Sequence, residues 1–134
     1  MMIIHHIGYI VQNLEESING FLNLGFSLNS SIIYDEIRKA RICFLSNGGY
    51  CIELVAPDNE QSPIYGLLKK YKNCPYHICY CSNDLQKDID TLCSKGWLLF
   101  SSPQSAPAIK NKNVVFLYNL SVGMIELVEM GTND

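Results

Sequence analysis

Residues 6–26 read HIGYIVQNLEESINGFLNLGF, and residues 77–97 read HICYCSNDLQKDIDTLCSKGW. At a shift of 71 positions His6 falls on His77, Tyr9 on Tyr80, Leu14 on Leu85, Ile18 on Ile89, Gly25 on Gly96 and Phe26 on Trp97. Further on, Phe44-Leu45 meets Phe116-Leu117 at a shift of 72, and IELV at 52–55 meets IELV at 125–128 at a shift of 73. Self-similarity along a chain marks a duplicated structural unit, and two small insertions account for the drift. The chain therefore reads as two copies of one supersecondary unit, residues 3–57 and 76–130, joined by a connector at 58–75, in one domain covering 1–134.

Each copy opens with an apolar, β-rich run, Ile3 to Val11 and Tyr76 to Cys81, and continues with apolar residues at helical spacing. In the first, Leu14, Ile18, Phe21 and Leu22 share a face, Asn13 is the expected N-cap and Gly25 the stop; in the second, Leu85, Ile89, Leu92 and Cys93 repeat this between Asn83 or Asp84 and Gly96. Three further strand-like runs follow each glycine, divided by turn residues such as Asn47-Gly48-Gly49 and Asn119 to Gly123. The unit is βαβββ, twice, and the fold class α+β. The connector carries a helical run from Ser62 to Lys72, and Ser101 to Asn113 reads as a long loop, either a lid or a hairpin connection.

With 134 residues, 48% apolar and 17% charged, the chain has the length and hydrophobicity of a single globular domain. Thirteen acidic against ten basic residues give a net charge of −3, with no basic run longer than Lys69-Lys70, which excludes a nucleic-acid or anionic-membrane surface. No apolar stretch approaches the length of a membrane span, and the amino-terminal residues lack a basic region and a small-residue cleavage site, so a cytoplasmic location is expected. The six cysteines form no CxxC pair; reduced core thiols are expected rather than structural zinc.

Side chains alternate between the faces of a strand, so His6 shares a face with Gly8 and Ile10, His77 with Cys79, Glu53 with Cys51 and Val55, and Glu126 with Met124 and Val128. The intervening Ile52, Leu54, Ile125 and Leu127 are apolar and are expected beneath the helices. Two copies related by an approximate twofold axis would bring two imidazoles and two carboxylates together from four strands. That set suits one divalent ion, zinc, nickel, cobalt or manganese, with positions left for water or substrate. His5, whose repeat position holds Tyr76, faces the other way.

From HIGYIV through IELVAP and YHICY to MIELVEM, the chain resembles the vicinal oxygen chelate superfamily, whose members pair βαβββ modules into an open, U-shaped eight-stranded barrel around a metal. The resemblance implies metal ligands His6, Glu53, His77 and Glu126. It is similar above all to methylmalonyl-CoA epimerase, through the connector SPIYGLLKKYKNCPYH, and next to glyoxalase I (lactoylglutathione lyase). Both imply removal of a proton next to a carbonyl of a small acyl or thioester substrate, a CoA thioester among them, with Glu126 as one proton carrier. The second, a glutamate ahead of the first IEL segment, falls near Ile37 by counting back from Phe44; Glu36 stands one residue away. Glyoxalase I usually carries an arginine where this chain has Ile10. A CoA ester would need cations for its phosphates, and Lys110 and Lys112 are the expected ones. A metal-free, drug-sequestering protein and an extradiol-type dioxygenase are the readings from other classes; the complete four-ligand set argues against both. Open strand edges lead to the expectation of a homodimer.

Overall fold

The computed structural model describes residues 2–130. They divide into two compact units, His6–Tyr76 and residues 2–5 with 77–130. The first holds most of β1 (Ile3–Ile10), then α1 (Leu14–Asn23), β2 (Ser27–Leu28), β3 (Ile33–Asp35), β4 (Ala40–Asn47), β5 (Tyr50–Pro57) and α2 (Tyr65–Tyr71). The second holds most of β6 (Cys74–Ser82), then α3 (Leu85–Ser94), β7 (Leu98–Leu99), β8 (Gln104–Ala106), a 3-10 turn at Pro107–Ile109, β9 (Lys112–Asn119) and β10 (Gly123–Glu129). The fold is α+β, as the sequence implies, and no helix of the described residues is long and apolar enough to cross a membrane.

Within the first unit the strand order is β2-β4-β5-β1, with β3 also on β4; within the second it is β7-β9-β10-β6, with β8 also on β9. In each, the opening strand pairs parallel with the last and the last two form an antiparallel hairpin. Among the described residues the strands number ten rather than eight, because the expected second strand of each copy is broken. In the first copy the amide of Asn29 still donates to the Phe44 carbonyl, but the amide of Phe44 donates to Ser30 Oγ, so a side chain takes the place of a ladder partner at the break. In the second the break contains Pro103, which has no amide hydrogen to give.

One apolar core lies in each unit. Leu14 and Ile18 of α1 pack with Val11, Cys43, Leu45, Ile52, Leu54 and Ala56. Leu85 and Ile89 of α3 pack with Val115, Leu117, Ile125 and Leu127. The helix ends follow the sequence: Asn13 accepts from the Glu16 amide and Asp84 from the Lys87 amide, closing the N-termini. The connector helix is shorter than the expected Ser62–Lys72 run and buries none of its residues. Ser62 Oγ donates to the Arg38 carbonyl instead, tying the segment before α2 to the β3–β4 turn. The segment Ser101–Asn113 is a hairpin rather than a lid: β8 pairs with β9, and Ala106 and Ile109 are buried.

The two drifts in the repeat are both turns. Asp35 pairs with Ala40 in the first copy and Ala106 with Lys112 in the second, one residue longer, where Lys110 and Asn111 both take positive φ. Asn47 pairs with Tyr50 across Gly48-Gly49, whereas Asn119 pairs with Gly123 across three residues. Gly25 and Gly96 end α1 and α3 at φ +95°, and a Cβ on Gly96 would meet nothing within 4 Å. Gly96→Ala should therefore cost about 1 kcal/mol or more through backbone conformation alone, and Gly25→Ala a similar amount, measured by denaturant unfolding.

Candidate functional site

Lateral neighbours in a sheet share a face. In the first unit Gly8 lies beside Glu53, Phe44 beside Glu53, Ile42 beside Val55, and Asp35 beside Ala40 and so in line with Pro57. His6, Glu53, Phe44 and Asp35 thus stand on the face opposite α1. His6 Nε2 lies 3.5 Å from Glu53 Oε1, with the side chains 0% and 8% exposed. The Phe44 ring meets His6 edge to face, centroids 5.2 Å apart and planes at 79°.

The second unit repeats this. Cys79 and Phe116 flank Glu126 on neighbouring strands. His77 Nε2 lies 3.2 Å from Glu126 Oε1, with side chains 0% and 5% exposed, and the Phe116 ring meets His77 at 5.3 Å and 89°. Two ligand atoms on one ion, each at a bond length of about 2.1 Å and at tetrahedral to octahedral angles, sit roughly 3.0–3.4 Å apart. The His77–Glu126 pair has that spacing and the His6–Glu53 pair, at 3.5 Å, stands just beyond it; imidazole with carboxylate is a donor set for zinc, nickel, cobalt or manganese. The residues present fit a divalent ion.

The other expected site residues divide. Lys112, half-buried, begins β9 with the parity of Phe116 and so stands on the face of Glu126; Lys110 is exposed in the preceding turn at φ +54°. Glu36 is exposed in the turn between β3 and β4, off any strand. Its neighbour Asp35 stands on the face of His6 and Glu53, 1% exposed, and its Oδ2 accepts from Arg38 Nη1 at 2.6 Å and its Oδ1 from the Arg38 amide at 2.9 Å. The slip of one residue has a physical origin: β3 ends at Asp35, so alternation stops before Glu36. Phe44 and Phe116 carried no expected role, although both stood in the repeat.

None of the six cysteines is in a disulfide; Cys43 and Cys79 are buried and Cys93 is exposed. Burial, then the Glu53 charge, pushes the Cys43 thiol up to about 11 and raises Cys51 as well. These thiols stay protonated near neutrality. On the outer side of the first sheet Arg41 forks onto the Glu15 carboxylate, and that hydrogen bond, more than any other influence, lowers Glu15 to about 2.

The fold is a duplicated α+β module with a buried imidazole and carboxylate, groups that could hold a metal ion, at matching places in both copies. Residues 5–116 match the Glyoxalase/Bleomycin resistance protein/Dioxygenase superfamily, and the chain belongs to that family. No curated protein matches the sequence. Among solved structures it is similar to a hypothetical protein from Bacillus halodurans C-125, at 22% identity and TM-score 0.84, over 96% of this chain and 94% of that one. It is similar to methylmalonyl-CoA epimerase from Mycobacterium tuberculosis at 25% identity and TM-score 0.82, over 97% and 89% of the two chains. A methylmalonyl-CoA epimerase in complex with methylmalonyl-CoA and NH4+ matches at 20% and 0.82, over 98% and 96%.

Asp35 and Glu36 separate cleanly in a stability measurement. Asp35→Ala leaves Arg38 unpaired in a largely buried setting and should cost about 2 kcal/mol or more by urea unfolding. Glu36→Ala, at an exposed turn, should stay within about 0.5 kcal/mol.

Proposed function

We propose that this chain is a cytoplasmic, metal-dependent enzyme of isomerase or lyase type that moves a proton next to the carbonyl of a small acyl or thioester substrate, in the manner of methylmalonyl-CoA epimerase. The observation that carries the reading is the recurrence of the buried histidine and glutamate, at 3.5 and 3.2 Å, in both units. Two ligands are too few for a tightly held divalent ion, and each unit supplies two. His6, Glu53, His77 and Glu126 are read as completing one shell, within a chain or across a homodimer. The family membership and the epimerase neighbours support this chemistry.

A divalent ion held there supplies Lewis acidity toward a substrate carbonyl. Glu126, buried against Met124 and Val128 of its own strand face, takes the proton from the α-carbon on a carboxylate oxygen and gives it back. Apart from His77 and Lys112, the strand positions around Glu126 on this face include Cys79, Val114, Phe116, Met124 and Val128, which suits a small apolar acyl group. Lys112 is the cation for the substrate's carboxylate or phosphate. Inversion requires a second proton carrier on the ligand face. Glu36 lies in an exposed turn and Asp35 is held by Arg38. That engagement favours a second reading, in which Glu126 alone shuttles the proton between neighbouring carbons, as in lactoylglutathione lyase.

Native mass spectrometry after cobalt, nickel or zinc loading should find one ion per chain equivalent, lost in His77→Ala and Glu126→Ala. Deuterium exchange at the α-carbon of methylmalonyl-CoA should vanish in both variants, and Lys112→Met should raise KM about tenfold with kcat held, the size of one charge-assisted contact. Wild type without metal would overturn the enzyme reading in favour of a metal-free, small-molecule-sequestering protein. Sedimentation showing a single-chain species alone at micromolar concentration would remove the homodimer.

A further inference from the structure

We infer that Phe44 and Phe116 are positioning residues for the metal-binding histidines, an inference that rests on the reading of His6 and His77 as ligands. The same arrangement occurs twice. Phe44 lies directly across the β4–β5 hairpin from Glu53, and Phe116 directly across the β9–β10 hairpin from Glu126. Each ring meets the histidine of its own unit edge to face, at 5.2 Å and 79° and at 5.3 Å and 89°. Within each unit, one ligand is thus the lateral partner of the phenylalanine and the other is its ring contact.

An imidazole rotates about its last side-chain bond unless something stops it, and a ligand must hold its Nε2 lone pair on the ion throughout. An edge-to-face neighbour favours one ring plane over the rest, because the positive edge of one ring seeks the negative face of the other. Leucine, of similar bulk but without a ring, fills the space and loses that preference. The opposite face of the same strands supplies a control. Cys43 precedes Phe44 and points into the helix-side core, where the second copy already uses Val115.

The test uses cobalt(II) alone, with affinity read by chelator competition and ligand geometry by the visible absorption of bound cobalt, on wild type, F44L, F116L, F116Y and C43V. F44L and F116L should bind roughly tenfold more weakly, as loss of a ligand's supporting neighbour does, with a shifted and weakened spectrum. F116Y, which keeps the ring, and C43V should match wild type in both readouts. Phe116 is only half-buried, so F116L and F116Y decide the matter should F44L fail to fold. Leucine variants indistinguishable from wild type would overturn the positioning role and leave the metal reading intact. Wild type that binds no cobalt would overturn both.

Discussion

The middle strand of each hairpin pair has to bury both of its faces while only one of them is apolar. Ile52, Leu54 and Ala56 of β5, and Ile125 and Leu127 of β10, satisfy the helix side by joining the cores under α1 and α3. Glu53 and Glu126 then point the other way and are still buried, 6% and 3% exposed. A carboxylate out of water is costly unless a partner compensates it. In both units the partner at that depth is an imidazole, and this pairing determines which residues surround it: a glycine or cysteine beside the carboxylate, a phenylalanine across the hairpin, and apolar side chains beyond.

The need to keep that register explains where the copies differ in length. An added residue inside a strand would reverse every side chain after it and place the glutamate among the core residues. The two insertions fall in turns instead, before β9 and between β9 and β10, where Asn111 at positive φ and a three-residue connection absorb them. The strands that carry the histidines and glutamates keep their spacing, so each phenylalanine remains opposite its glutamate.

Chemistry enters through the positions where the copies disagree on the ligand face. Gly8 in one corresponds to Cys79 in the other, Asp35 to Ala106, Ala40 to Lys112, and Cys51 to Met124. The matched positions hold His6, Glu53, His77 and Glu126 and the two phenylalanine rings. The unmatched ones place an acid locked to Arg38 at one end of the first unit's face and a lysine at the same end of the second's. The duplicated scaffold thus carries an asymmetric lining.

Much of this was legible from residues alone. The shifted copies revealed the repeat, alternation along IELV separated core from ligand face, and recurrence singled out His6, Glu53, His77 and Glu126, because these are short-range properties of strand and helix geometry. Asn13, Gly25 and Gly96 announced their helix ends for the same reason, while the start of α3 was narrowed only to Asn83 or Asp84, of which Asp84 is the cap. Other features depended on pairing between distant segments. That β3 ends at Asp35, leaving Glu36 in solvent, follows from the hairpin with β4 and the hold of Arg38 on Asp35. That the second strand of each copy breaks in two, that residues 104–106 pair with β9, and that Lys112 rather than Lys110 shares the face of Phe116, follow from register across strands. Local sequence determines which way a side chain points within its own strand; where that strand stops, and which neighbour lies beside it, is decided only when the chain folds back and its backbone hydrogen bonds are shared out.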